Sequence, residues 1–266
     1  LVHAYNDDSF IEIIGETSMA GWIRGQIRRK IIWNDTHFSL DIECDRSDFV
    51  AGQFIRVGLD VDGERLARPY SCVNPPGKSG IEIFFNTVPE GPLSNRLASL
   101  NEGESIWLGD AIHGFLTLPQ VPPEAKNLWL IATGTGVGPF LSILQTDEPW
   151  GRFNKISLIY GLRHLSNFCY SELIDDLKLK QPEKLNVIPC ITGEKPLNGY
   201  YGRVTEAIEN GKLEEIANCK ITTDSSHFML CGNQAMIKDV SAILGEKGLT
   251  KHMRRDPGQI SSEKYH

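Results

Sequence analysis

The chain has 266 residues, enough for two medium domains, and its hydrophobic fraction of 41% and charged fraction of 23% are those of an ordinary soluble globular protein. A net charge of −7 gives no support to nucleic-acid binding, and no apolar stretch approaches the ~20 residues that span a bilayer. Cys44, Cys72, Cys169, Cys190, Cys219 and Cys231 include no C-x-x-C pair, which argues against a zinc site, an iron–sulfur cluster or a disulfide framework, and for a reducing compartment, the cytoplasm.

Residues 1–18, LVHAYNDDSFIEIIGETS, carry Asp7, Asp8, Glu12 and Glu16 with no lysine or arginine, and lack the basic start and long apolar run of a signal peptide. They read as an N-terminal extension outside the fold, with a packed strand through FIEIIG as the alternative. From Trp22 to about Leu118 the texture is β. QFIRVGLDV sets Phe54, Val57, Leu59 and Val61 against Arg56, Gly58 and Asp60, with Ile55 the one break in the alternation. FSLDIEC, ARPYSCVN, IEIFFNTV and SIWLGDAI are further short runs, Asp62-Gly63 is a hairpin turn, and LSNRLASL is a helical insert. This pattern predicts an antiparallel β-barrel domain over 19–118. Pro119, Pro122 and Pro123 then mark a linker, 119–127.

After the linker, apolar strands NLWLIAT, KISLIYG, LNVIPCIT and HFMLCG alternate with helical stretches, among them GPFLSILQ, SELIDDLKLK and VTEAIENG. In QAMIKDVSAILGEKG, Met236, Val240, Ile243 and Leu244 recur at helical spacing. Strand–helix repetition over 128–266 predicts an α/β domain with a parallel sheet of five strands, whose ligand site lies at the strands' carboxyl ends.

IATGTGVGPF follows the first of these strands and opens a helix, where backbone N–H groups favour a phosphate. Gly134, Gly136 and Gly138 miss the G-x-G-x-x-G spacing because Pro139 takes the last position, and a tight strand–helix turn needs glycines too. The loop alone does not decide. RPYS, residues 68–71, places a cation, a flat aromatic and a hydroxyl on one barrel strand, which suits the pyrophosphate, ring and redox edge of a flavin dinucleotide; by itself it reads more readily as an ordinary strand.

In order, RPYS, GPLSNRL, ATGTGVGPF and LCGN resemble the ferredoxin–NADP reductase family of flavoproteins, and more narrowly its bacterial flavodoxin/ferredoxin–NADP(+) reductases. The resemblance covers 19–266. It implies FAD in the barrel, NADP(H) on the parallel sheet, and hydride transfer coupled to one-electron exchange with ferredoxin or flavodoxin.

For FAD it implies that Arg68 pairs with the pyrophosphate, that Pro69 and Tyr70 flank the isoalloxazine with Tyr70 stacked on it, and that Ser71 sits near its N5 edge. Phe84 and Thr87 line the flavin, Pro92, Leu93 and Ser94 meet the phosphates, and Thr135 lies where the two nucleotides meet. Tyr265 covers the flavin face that the nicotinamide must reach. For NADP it implies Gly134, Gly136 and Gly138 in the loop, Leu162, Arg163, Thr192 and Arg203 around the 2′-phosphate, and Cys231 with Gly232 beside the nicotinamide. Ser71, Cys231 and Tyr265 are the catalytic candidates, in positioning roles, and no metal is implied.

Two positions depart from the family. Thr192-Gly193-Glu194 stands where relatives read T/S-R-E, so an expected arginine is missing and NADP preference is open to weakening. His266 replaces the Trp that packs near the adenine of FAD. Arg24, Arg28, Arg29 and Lys30, and Lys251, Arg254 and Arg255, form local basic clusters suited to acidic carriers, though such runs are more often a solvated face. Nothing in the sequence demands more than a monomer, or a membrane. A reductase feeding an oxygenase on the same fold, and a non-catalytic nucleotide-binding module, are the alternatives.

Overall fold

A computed structural model of the protein describes residues 21–265; residues 1–20, His266 and the side chain of Tyr265 lie outside the described residues, and with them the expectations for 1–18 and for His266. In the first half, β1 (Trp22–Ile32), β2 (His37–Glu43), β3 (Phe54–Val61), β4 (Glu64–Ser71), β5 (Ile81–Asn86) and β6 (Ser105–His113) form an antiparallel sheet in the order β4-β3-β6-β1-β2-β5. The β3–β4 hairpin turns at Asp62 and Gly63, both left-handed with φ of 51° and 84°, as a two-residue turn between twisted strands requires.

Ile55 and Val57 are fully buried in the barrel core with Leu59 packed against them. The odd residue in the alternation is therefore Phe54 and not Ile55; the ladder to β6 shifts register just after Ile55. The sheet curls until its edges meet at a single bridge, Cys72 to Ile83, and is open along the rest of that seam. β4 is thus an edge strand, which is why Pro69 is tolerated within it and why RPYS keeps one edge available to a ligand. The helix α1 (Ser94–Ser99) plugs one end of the barrel with Leu97, helped by Leu93 just before it.

In the second half, β7 (Asn127–Thr133), β8 (Lys155–Leu162), β9 (Leu185–Ile191), β10 (Tyr200–Tyr201), β11 (Ser226–Asn233) and β12 (Ile260–Tyr265) form a parallel sheet in the order β10-β9-β8-β7-β11-β12. There are six strands where five were expected, because two-residue β10 is too short to show a period and the polar terminus ISSEKY pairs as β12. Alternate residues of β7 feed two cores. Leu128 and Leu130 pack with Phe140 and Leu141 of α2 (Gly138–Leu144) and with Ile174 and Leu177 of α4 (Ser171–Lys180), behind the short α3 (Glu148–Arg152). Trp129 and Ile131 pack with α5 (Val204–Glu209), α6 (Lys212–Ala217) and α7 (Gln234–Glu246). On α7 the buried residues are Ile237, Val240 and Leu244, with Met236 and Ile243 at the margin.

The chain runs outward from β7 through β8 and β9 to β10, then returns to lay β11 on the other side of β7. Strand order reverses between β7 and β11, and the crevice at their carboxyl ends is where such a sheet holds a ligand.

Candidate nucleotide sites at the domain junction

The glycine loop owes its shape to that crevice. A Cβ at Gly136 would stand 2.5 Å from Cys231 O and 2.8 Å from Gly232 Cα, so the loop lies flat on the end of β11. Gly232 has φ of +126°, and a Cβ there would meet Thr133 Oγ1 at 2.4 Å. The same Thr133 hydroxyl accepts the Asn233 N–H at 2.9 Å, which ties the two strand ends together. Gly134, with φ of +54°, faces open space. Thr135 and Cys231 are buried beside it.

A cavity of about 500 Å³ opens over this crevice, lined by Gly134, Leu162, Arg163, Thr192, Arg203 and Asn233 among others. That volume is ordinary for a small-molecule site. Leu162 forms its buried floor, while Arg163, Thr192 and Arg203 are exposed at its rim. Gly136, Gly138, Cys231 and Gly232 do not line the cavity wall themselves; they shape the loop that does. Asp239 lines the wall too, and His37 reaches in from the barrel domain. Both signs of charge therefore face the cavity.

The departure at Gly193 has a physical account. A Cβ there would lie 2.5 Å from His164 Cε1 and 2.6 Å from the Arg163 carbonyl, which accepts the Gly193 N–H at 2.7 Å. His164, itself 3.7 Å from Glu194, takes the space of the missing side chain. Lys195 is exposed and does not line the cavity.

On the barrel side, Arg68 and Pro69 are exposed on edge strand β4, and the Arg68 guanidinium donates to the neighbouring Ala67 carbonyl at 2.8 Å. Tyr70 is half-buried, edge-on to Phe85 at 6.0 Å, and desolvation pushes its phenol up to about 12, so it is a neutral flat surface at any working pH. Ser71 is buried, and a Cβ on Gly138 would come within 3.8 Å of its own Cβ, so RPYS ends where the glycine loop opens α2. Gly91 and exposed Pro92 turn the chain into α1; Leu93 is buried in the barrel core, and Ser94 Oγ is buried without a hydrogen-bond partner.

That orphaned hydroxyl beside a turn whose Gly91 has no room for a Cβ, together with an aromatic and an arginine on an open edge, fits a flavin dinucleotide. Thr87 is half-buried and donates its N–H to Thr36 O at 2.8 Å. Phe84 is 4% exposed and packs on Trp33, Tyr170 and the cavity-lining His37, in the core shared with the parallel sheet.

Sequence reading missed Glu263. In register it lies opposite Cys231, as Tyr265 lies opposite Asn233, so β12 brings the chain's end to the crevice. Glu263 Oε2 is buried without a partner, and burial raises the carboxyl from 4.5 to about 7. The folded protein thus holds this proton more tightly than the unfolded chain. Its stabilising contribution is complete below about pH 4.5 and is lost as pH rises through 7. Glu263→Gln is expected to match the unsubstituted protein at pH 4.5 and to exceed it by ~2–3 kcal/mol at pH 8.5, measured by urea titration at both values.

A family model described as an oxidoreductase FAD-binding domain matches residues 27–110, and one described as an oxidoreductase NAD-binding domain matches 130–242. The flavodoxin/ferredoxin–NADP reductase of Escherichia coli strain K12 is 38% identical over 221 residues, covering 83% of this chain and 89% of that protein. The chain belongs to the flavodoxin/ferredoxin–NADP reductase family. Another member, the ferredoxin–NADP reductase of Pseudomonas aeruginosa, is 35% identical over 87% of this chain and 93% of its own length. Among solved structures, a ferredoxin–NADP(+) reductase from Neisseria gonorrhoeae with bound FAD and NADP superposes with a TM-score of 0.88 at 29% identity, over 92% of this chain and 99% of that one. This reductase is therefore an oxidoreductase with one domain for FAD and one for the pyridine nucleotide.

Proposed function

We propose that the protein passes reducing equivalents between NADPH and a ferredoxin or flavodoxin through FAD held on β4. When bound, the flavin takes two electrons as a hydride and exchanges them singly, which is what a nicotinamide and a one-electron carrier require of each other. The observation that carries the reading is the junction itself: Ser71 at the end of the flavin strand abuts Gly138 at the start of the nucleotide loop.

The chain's own part is placement and proton custody. Arg68 neutralises the pyrophosphate, Ser94 Oγ completes a phosphate contact, and Tyr70 supplies the flat wall. Arg163 and Arg203 take the 2′-phosphate with charge-assisted hydrogen bonds. Cys231, held by the loop glycines, fixes where the nicotinamide lies, and Glu263 holds a proton close to neutral pH. By the family resemblance, Tyr265 would shield the flavin face that the nicotinamide must reach. Tyr265→Ser is then expected to tighten NADP+ binding at least about tenfold, read by titrating the flavin spectrum; weaker binding would end its role as a shield.

Acidic carriers suit the exposed Lys251, Arg254 and Arg255. The other basic cluster is less available, since Arg28 is paired with Asp41 at 2.7 Å, Lys30 donates to Leu100 O at 3.0 Å and Arg24 to Ser105 at 2.9 Å. The six cysteines are all free, as suits the cytoplasm, and no described helix is long and apolar enough to cross a membrane. A monomer suffices, because both nucleotide sites draw on one chain. NADPH-driven reduction of an oxidised flavodoxin or ferredoxin tests the reading. Turnover confined to artificial dyes, with neither carrier reduced, would favour an oxygenase-feeding reductase.

A further inference from the structure

Tyr170 precedes α4 in the nucleotide domain and is buried in the core beneath the parallel sheet, yet its hydroxyl bonds two barrel residues. Its backbone is left-handed, with φ of 60°, a conformation that strains a bulky residue and persists only where the surroundings over-determine it. The surroundings are a hydrogen-bonded relay across the domain junction. Trp33 Nε1–H donates to Ser39 Oγ at 2.8 Å, so the Ser39 hydroxyl is left to donate to Tyr170 Oη at 2.6 Å. Tyr170 in turn donates to Glu82 Oε1 at 2.6 Å. Ser39 and Tyr170 each accept one hydrogen bond and donate one, between the Trp33 donor and the Glu82 acceptor, the arrangement in which neighbouring hydrogen bonds reinforce one another.

Aromatic packing follows the same path. Trp33 lies 4.4 Å from the Tyr170 ring and Phe84 meets it edge-on at 5.3 Å. Asn34 Nδ2 donates to Ser166 O at 3.1 Å alongside. The relay adjoins residues of the nucleotide cavity: His37, which lines it from the barrel, is two residues before Ser39 and packs on Phe84, and Asn167, which lines it from the other domain, is three before Tyr170.

We propose that Tyr170 is a positioning residue for hydride transfer, bolting the two domains so that the His37 and Asn167 walls of the cavity keep the spacing at which the nicotinamide meets the flavin. This rests on the function proposed above. Trp33, Ser39, Glu82 and Tyr170 do not line the cavity, so the relay acts through the domain angle.

Tyr170→Phe keeps the ring and removes the hydroxyl. Amide hydrogen exchange at 34–39 and 166–170 should quicken in the flavin-loaded protein, and flavin reduction at saturating NADPH should slow about tenfold or more, because small misplacement of reacting groups is costly. Binding of 2′-phospho-AMP, whose phosphate would be held by Arg163 and Arg203 of the nucleotide domain, should fall far less than the reduction rate. Glu82→Gln, which keeps a carbonyl acceptor for Tyr170, should restore near-normal reduction. The proposal is overturned if Tyr170→Phe reduces at the normal rate, if 2′-phospho-AMP binding falls in step with it, or if Glu82→Gln is as slow as Tyr170→Phe. Failure of the unsubstituted protein to accept hydride from NADPH would instead sink the functional reading, while the exchange data would still judge the bolt.

Discussion

Gly136→Ala is expected to cost about 3 kcal/mol of stability and to lower flavin reduction by NADPH by roughly a hundredfold or more. The added Cβ would come 2.5 Å from Cys231 O, 2.7 Å from Cys231 C and 2.8 Å from Gly232 Cα. All three are backbone atoms of β11, a strand whose side chains from Ser226 to Cys231 are buried, so nothing flexible can move aside. Either the glycine loop lifts off the sheet or Cys231 shifts, and both disturb the residue proposed to position the nicotinamide. Gly151 in α3 supplies the control, since a Cβ there meets nothing within 4 Å. Gly151→Ala should be neutral or slightly stabilising, by about 0.5–1 kcal/mol. Thermal unfolding followed by circular dichroism compares the two.

The second large effect is on cofactor choice. Replacing Arg163 and Arg203 together by alanine should reduce kcat/KM for NADPH by a factor of ~10²–10⁴, taking about 1.5–3 kcal/mol for each charged hydrogen-bonding partner lost. The value for NADH should change little. Two features make the loss severe. Among the described residues no lysine or other arginine lines the cavity, since His164 and the Arg163 carbonyl fill the space above Gly193, and Asp239 remains in the cavity to repel a phosphate. Steady-state kinetics with both nucleotides, on each single variant and the double, reads the outcome.

Most of the barrel was legible because its strands are half-buried and alternate, and because Asp62-Gly63 has the turn chemistry that its two positive φ angles demand. The same periodicity misassigned Ile55: Ile55, Val57 and Leu59 share the inward parity, and the apolar Phe54 on the other parity is what disguised it. The loop around Gly136 was legible as a phosphate candidate, but not the reason for its odd spacing, which lies in the close approach to β11 nearly a hundred residues later. β12 was hidden by its own polarity: Ser261 is buried and Glu263 half-buried, and nothing local marks ISSEKY as a strand. Asn233, which accepts the N–H groups of Ala235 and Met236 and so caps α7, carried a readable signal, an asparagine between an apolar strand and a helix. Tyr170 carried none. Its partners Ser39 and Glu82 sit in another domain, and only the folded chain brings them together.

The account stands on an edge strand that holds a flavin within reach of a separate NADPH cavity, and rapid mixing of the purified yellow protein with NADPH or NADH tests this directly. The visible flavin band should bleach in a single saturable phase with NADPH, and much more slowly with NADH. Protein that retains no flavin after incubation with FAD, or bleaching as fast with NADH as with NADPH, would contradict it.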